Sequence, residues 1–224
     1  MNILVLIAGN NEPSNSQTLA ESFIAGMQEH AHVTVETKKI QEMQLEHFRL
    51  DFYNSSTPEE EDFKKLKELM EWADGFVIAT PIWNFSVPAH LKNLIDRMGS
   101  FALDAETRNK GTLKGKPFYL IFTGGAPKAA WKGLMRFTTG HMTAGLEYFD
   151  CTHIGTFFEG KCTKGKGKFG LVVDKREETL HKVRGKGFKF VSIVERFEAT
   201  GKLPLGKRIY RKLYWWGQIV MGKL

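Results

Sequence analysis

Apolar runs, turn-rich polar segments and stretches with apolar positions three or four residues apart succeed one another along the chain, which predicts alternating strands and helices. Residues 2–9 contain ILVLIA without polar alternation, the pattern of a strand covered on both faces. Turn formers fill residues 9–16, and Ser16 is placed to cap a helix over 17–29. A second strand is expected at 32–38, with Val33 and Val35 on one face, and a loop at 40–56. Pro58 and the acidic run Glu59, Glu60, Glu61 and Asp62 suit a helix start, where free N–H groups favour negative charge. Phe63, Leu66, Leu69, Met70 and Ala73 continue that helix, and a buried strand at 75–80 stops at Pro81.

Pro88 opens a helix to about residue 98, with Leu91, Leu94 and Ile95 able to face a sheet. A strand follows at 116–122, then a helix at 131–146 and a fifth strand within 147–158. The repeated units predict an α/β fold, an open five-stranded parallel sheet with helices on both faces, over residues 1–174. Residues 175–224 form a C-terminal extension. In it Gly185 and Gly187 interrupt the spacing of Leu180, Val183, Val191, Val194 and Phe197, so two shorter elements are expected. The turn-rich segments 9–16, 81–86 and 123–127 each follow a strand and therefore share one sheet edge, where doubly wound folds bind ligands.

Composition narrows the class. The 42% hydrophobic content excludes wholesale disorder, and 224 residues suffice for one substantial core. There is no uninterrupted apolar run of membrane-spanning length, and the N-terminus lacks the basic leader and cleavage pattern of a secretory signal. Cys151 and Cys162 are too few for a disulfide framework, so the cytoplasm is expected. Cys151 and His153 lack partners at metal-site spacing, and no metal is expected. The net charge of +7 hides an asymmetry: residues 1–100 carry 8 Lys/Arg against 15 Asp/Glu, and residues 101–224 carry 24 against 10. The basic part could attract phosphorylated cofactors, nucleic acid or anionic membrane.

The first loop has chemistry of its own, because a helix start offers unpaired N–H groups to an anion. Ser16 and Thr18 could add hydroxyl donors, and Asn10, Asn15 and Gln17 further polar contacts; a well-capped helix without a ligand fits the same residues. No GxGxxG follows the first strand and no GxxxxGK[ST] occurs, which weakens the dinucleotide and P-loop readings in favour of a compact monophosphate cradle.

The segment PIWNFSVPAHLKNLIDR at 81–97 resembles the flavin-side loop and following helix of the flavodoxin-like NAD(P)H-dependent oxidoreductases, which include FMN reductases and NAD(P)H quinone oxidoreductases. The resemblance covers about residues 1–160 and implies bound FMN. It puts Ser16, Gln17 and Thr18 around the phosphate and Asn10 along its approach. Pro81, Ile82, Trp83, Asn84 and Phe85 correspond to the isoalloxazine and ribityl loop, and Thr123, Gly124 and Gly125 to a second loop around the ring. The family's phosphate loop often begins Gly-Ser or contains Arg or His, and Gly9-Asn10-Asn11-Glu12 departs from that. The resemblance also implies a ping-pong cycle, with hydride passing from NADH or NADPH to flavin N5 and then to a small-molecule acceptor such as a quinone or a free flavin.

No side chain is assigned as catalytic. Tyr119 reads as a strand residue, His90 as a helix or interface residue, His141 as packed or exposed, and Asp96 and Arg97 as ion-pair or helix-end residues. Two other functions fit the pattern: an electron carrier of the same fold, and a non-enzymatic scaffold that has lost flavin. Lys161, Lys164, Lys166 and Lys168 alternate with glycines but form no base-reading pattern, so a solvated loop is expected rather than a nucleic-acid site. In the tail, Lys207, Arg208, Arg211 and Lys212 mix with Ile209, Tyr210, Leu213, Tyr214, Trp215 and Trp216. A homodimer contact or an intramolecular cap is favoured there, with peripheral membrane contact as the alternative.

Overall fold

Strand β1 (Asn2–Ile7) pairs in parallel with β2 (Thr34–Lys39) on one side and β3 (Gly75–Pro81) on the other. β4 (Pro117–Thr123) and β5 (Thr152–Glu159) continue the sheet in parallel, giving the order β2-β1-β3-β4-β5 of a flavodoxin-like fold. This computed structural model describes residues 1–54, 56–165 and 168–221. Lys166 of the lysine-glycine loop and Gly222, Lys223 and Leu224 of the tail lie outside the described residues.

The apolar run of β1 explains its central place. Ile3, Val5 and Ile7 enter one core with Leu19, Phe23 and Met27 of α1 (Asn15–Met27) and Val183, Phe190, Val191 and Val194 of α6 (Glu177–Thr200). Leu4, Leu6 and Ala8 enter the opposite core, against α2 (Glu61–Trp72), α3 (Ala89–Ala102) and α5 (Gly140–Tyr148). Helices thus cover both faces, as the sequence pattern predicts. β2 is an edge strand with partly exposed side chains, and Val33 and Val35 pack against the α1/α6 core. Among the described residues no helix is long and apolar enough to cross a membrane.

Four boundaries differ from the sequence reading. Ser14, not Ser16, caps α1: its hydroxyl accepts from the Gln17 amide at 3.3 Å, and Ser16 sits buried in the first turn. The helix expected at 131–146 divides into α4 (Lys128–Lys132), a 3-10 segment over Leu134–Thr139 and α5. The division falls at Gly133, whose backbone (φ −80°, ψ −125°) is not helical. Trp131 turns inward onto Phe158, ring centroids 4.7 Å apart and planes 5° from parallel, while Leu134 and Phe137 face outward. Residues 147–149 end α5 rather than begin the fifth strand, because Asp150 (φ 65°) reverses the chain.

The fourth difference is α6, one helix of 24 residues where two shorter elements were expected. Gly187 is the reason it runs on: a Cβ there would lie 2.0 Å from the Phe23 carbonyl oxygen, and a Cβ on Gly26 would lie 1.8 Å from that of Arg184. These glycines let α1 and α6 touch backbone to backbone, so contact outweighs their poor helix propensity. Gly185 meets nothing within 4 Å. Gly187→Ala should therefore destabilise the protein by ~1–3 kcal/mol, and Gly185→Ala should stabilise it by up to ~1 kcal/mol, in urea unfolding. Equal effects would contradict the close helix crossing.

Asp96 and Arg97 form the ion pairs expected of them. Lys92 holds Asp96 at 2.6 Å on the helix exterior. Arg97 is fully buried, donates to both Glu60 oxygens at 2.7 and 2.6 Å and to the Glu46 carbonyl at 3.1 Å, and lies 3.5 Å from the Phe52 ring centroid. It thereby fastens residues 46–60 to α3. The Arg97 hydrogen bonds hold the Glu60 carboxyl down at about 2, against an ordinary 4.5. Because the folded value is the lower one, this stability is full above about pH 4.5 and lost as pH falls toward 2. Urea melts should show a loss of ~1–2 kcal/mol from this pair across that window, solvent screening at the part-exposed carboxylate reducing the full linkage value. Glu60→Gln, which strands the buried guanidinium, should lose ~3–5 kcal/mol at neutral pH and flatten the acid response. An unchanged acid response in that variant would contradict the assignment.

Candidate functional site

The carboxyl ends of β1, β3 and β4 deliver three loops to one cleft, on the side where the strand order reverses between β1 and β3. Its lining takes Gly9, Ser14 and Ser16 from the first loop, Pro81, Ile82 and Trp83 from the second, and Thr123, Gly124 and Gly125 from the third. Eight of the residues singled out in the sequence thus meet: Asn15, Ser16, Pro81, Ile82, Trp83, Thr123, Gly124 and Gly125. The other five lie outside the lining. Asn10 is exposed, Gln17 pairs with Glu21 at 2.9 Å, the Thr18 hydroxyl donates to the Ser14 carbonyl at 3.0 Å, and Asn84 and Phe85 occupy an exposed turn tip.

The first loop is packed around an absent Cβ. One placed on Gly9 would sit 2.4 Å from Ser16 Oγ and 2.7 Å from Ser14 Oγ, so both hydroxyls close over that α-carbon. Ser14 Oγ and Ser16 Oγ lie 3.1 Å apart; the pair uses one hydroxyl proton between themselves and keeps one for another acceptor. The amides of Asn15 and Ser16 open α1 and have no carbonyl one turn earlier in the helix. Hydroxyl, amides and helix dipole suit a monophosphate, and Lys39 bridging to Glu12 at 3.2 Å ties the loop to the end of β2.

In the second loop the Trp83 amide donates to the Ser86 carbonyl at 2.8 Å and the Ser86 amide donates back at 2.9 Å. Asn84 (φ 48°) and Phe85 (φ 62°) are both left-handed, so residues 83–86 form a type I′ turn. A left-handed phenylalanine is strained, and its ring is 68% exposed, so core packing does not hold it there. The Ile82 amide donates to the Thr123 carbonyl at 2.7 Å, locking the second loop to the third. A Cβ built on Gly125 would meet Thr163 Cγ2 at 3.5 Å, an ordinary contact, so the site does not require glycine there sterically. Narrow loops with bare backbone between them suit a flat ring system, so the residues present fit both ends of FMN. His90 Nε2 sits 2.9 Å from the Ala8 carbonyl and anchors α3 to the end of β1, a positional role.

A fourth wall escaped the sequence reading: Cys162, Thr163 and Phe169 also line the cleft. Asn15 fastens this segment, donating to the Gly170 carbonyl at 2.9 Å and accepting from the Val172 and Val173 amides at 2.9 and 3.1 Å. Arg176 fastens its other end through Glu159 and the Gly160 and Lys161 carbonyls. The missed signal is the pairing of Asn15 with a loop some 155 residues away, which no local pattern encodes. Lys161, Lys164 and Lys168 are exposed, as expected of a solvated loop. Burial pushes the Cys162 thiol up to about 11, so it lines the cleft as a neutral thiol rather than a nucleophile. Tyr119 lies in β4, its hydroxyl pushed up to about 12 by burial, and burial lowers His141 on α5.

Strand order and cleft together define a doubly wound α/β protein of flavodoxin topology with a cleft at its topological switch point. The chain belongs to the flavodoxin-like fold family Flavodoxin_2, which matches residues 1–178. Among curated proteins it is 29% identical over 130 residues to the NADH-dependent FMN reductase SfnE of Pseudomonas putida, a match spanning 58% of this chain and 63% of that relative. It is 48% identical over 59 residues to an FMN-dependent NADH:quinone oxidoreductase of Shewanella sp. (strain W3-18-1), spanning 25% of this chain and 30% of the relative. The fold is similar to an NAD(P)H:quinone oxidoreductase from Methanothermobacter marburgensis, with TM-score 0.64, 20% identity, and 84% and 95% of the two chains covered. It is also similar to an FMN-dependent NADH-azoreductase from Bacillus anthracis in complex with FMN, with TM-score 0.60, 14% identity, and 85% and 100% covered.

The turn strain gives a direct test. Phe85→Gly should raise stability by ~0.5–1 kcal/mol in urea unfolding, since glycine enters the left-handed region without a Cβ clash. A loss of stability would mean that the ring contributes packing its exposure does not reveal.

Proposed function

We propose that this protein is an FMN-dependent oxidoreductase that takes hydride from NADH or NADPH and delivers it to a small acceptor such as a quinone or a free flavin. The convergence of the Gly9–Ser16 cradle, the Pro81–Trp83 segment and the Thr123–Gly125 loop in one cleft carries this reading. The FMN reductase and quinone oxidoreductases among the relatives support it. When bound, FMN supplies the two-electron redox chemistry, and the protein supplies position and electrostatics.

On this reading Ser16 and the first-turn amides of α1 hold the phosphate; Asn10, Gln17 and Thr18 lie outside the lining and are given no direct contact with it. Pro81, Ile82, Trp83, Asn84 and Phe85 flank the ring on one side, and Thr123, Gly124 and Gly125 on the other. The Asn84 and Phe85 amides, not used by the Trp83–Ser86 pair, would be the turn's donors to negative charge on a bound flavin, and no side chain is assigned as a covalent nucleophile. Residues 1–174 form the flavin-binding domain and 175–224 an extension packed against it, in a homodimer. Cys151 and Cys162 are both unbonded and buried, which supports the reducing cytoplasm as its compartment.

Ser16→Ala tests the phosphate assignment. Loss of one hydrogen bond to a charged group should weaken FMN binding by ~1.5–3 kcal/mol, about tenfold or more, and leave riboflavin binding unchanged, both read by fluorescence quenching. Equal weakening of both ligands would remove Ser16 from the phosphate site. Anaerobic stopped-flow mixing with NADH and NADPH tests the enzyme reading. Bleaching of the flavin bands at turnover rates is expected, and reduction by neither donor would favour an electron carrier.

A further inference from the structure

The tail helix α7 (Leu205–Met221) has two faces of different character. Its inner face is held to the domain: Arg211 reaches both Asp150 oxygens at 2.8 Å, Trp215 Nε1 donates to Asp150 at 3.0 Å, and the Tyr210 hydroxyl donates to Glu147 at 3.0 Å. These contacts match the intramolecular cap considered from the sequence, and they leave the outer face unpartnered. Leu205, Ile209, Leu213, Trp216 and Val220 recur there at intervals of 4, 4, 3 and 4 residues, which places them on one stripe. All five are 40–66% exposed, over ~22 Å of helix.

Charge decides what such a stripe fits. No Asp or Glu follows Glu198 in the sequence, whereas Lys202, Lys207, Arg208, Arg211, Lys212 and Lys223 do. Arg211 is neutralised by Asp150. Lys212 is exposed at the border of the stripe, and Arg208, one turn earlier, is partly exposed beside it with its Nε buried. A second α7 laid against the first would set these cations against their own copies, with no acid on either helix to answer them. An anionic lipid surface offers acyl chains to the stripe and negative headgroups to its border. α7 is too short and too charged to span a bilayer.

We propose that the outer face of α7 is a membrane-surface anchor that lies in the headgroup plane of an anionic bilayer. The binding does not depend on the redox reading. Its consequence, access to lipid-dissolved quinones, does rest on that reading.

Co-sedimentation of the full-length protein with vesicles tests the anchor, using phosphatidylcholine alone and phosphatidylcholine mixed with phosphatidylglycerol. Binding to the mixed vesicles should be at least about tenfold tighter and should weaken with added salt. Leu213→Ser with Trp216→Ser should weaken it by about tenfold or more, with the circular dichroism spectrum and melting temperature unchanged because both side chains are exposed. Arg208→Gln with Lys212→Gln should abolish the preference for phosphatidylglycerol. Equal recovery in the supernatant with both vesicles would overturn the proposal, as would a serine variant that binds like the parent. Self-association removed by the serine pair, without vesicle binding, would assign the face to a second copy instead. Protein in the pellet is measured by gel, so the outcome is separate from any result on flavin or NADH.

Discussion

β1 is paired in parallel on both sides, and the chain leaves its end toward the α1/α6 face while β3 leads into α3 on the other. That divergence opens the crevice in which three loops meet. It requires β1 to be apolar on both faces, which Ile3, Val5 and Ile7 on one side and Leu4, Leu6 and Ala8 on the other supply. A polar residue at any of these positions would lose its solvation in the interior and disturb the strand that fixes both loop origins.

The site is held by contacts distant in sequence. Asn15, His90, Arg97 and Arg176 each fasten a loop to a neighbouring element with buried or partly buried hydrogen bonds. The turn at 83–86 holds two of the six left-handed non-glycine residues among the described residues, side by side at the rim of the cleft. A phenylalanine kept left-handed and exposed has no folding rationale, which is why the ring-side loop carries more weight in the functional reading than the phosphate loop.

Much of this was legible from spacing. The unbroken apolar runs named the strands, Pro88 and the 3.6-residue period named α3, and strand-end turns named the site edge. The readings that failed did so where a residue's local tendency was overruled by a distant neighbour. Gly185 and Gly187 read as helix breakers, yet Gly187 serves as a contact point that only the fold reveals. Trp131 belongs to an apparent helical period but spends its ring on Phe158. Ser16 looked like a cap because capping chemistry is shared by Ser14, and only the backbone of Ser14 is extended (φ −113°, ψ 124°). The wall of Cys162, Thr163 and Phe169 reads as solvated chain because Lys161, Lys164 and Lys168 do face water, while those three residues line the cleft.

FMN is the proposed occupant of the cleft at the β1/β3 switch point. The visible spectrum of the purified protein, followed by mass measurement of the chromophore released on denaturation, tests it most directly. Oxidised-flavin bands and a released molecule of the mass of FMN are expected, or saturable appearance of bound flavin when FMN is added to colourless protein. A colourless protein that binds no added FMN would contradict it.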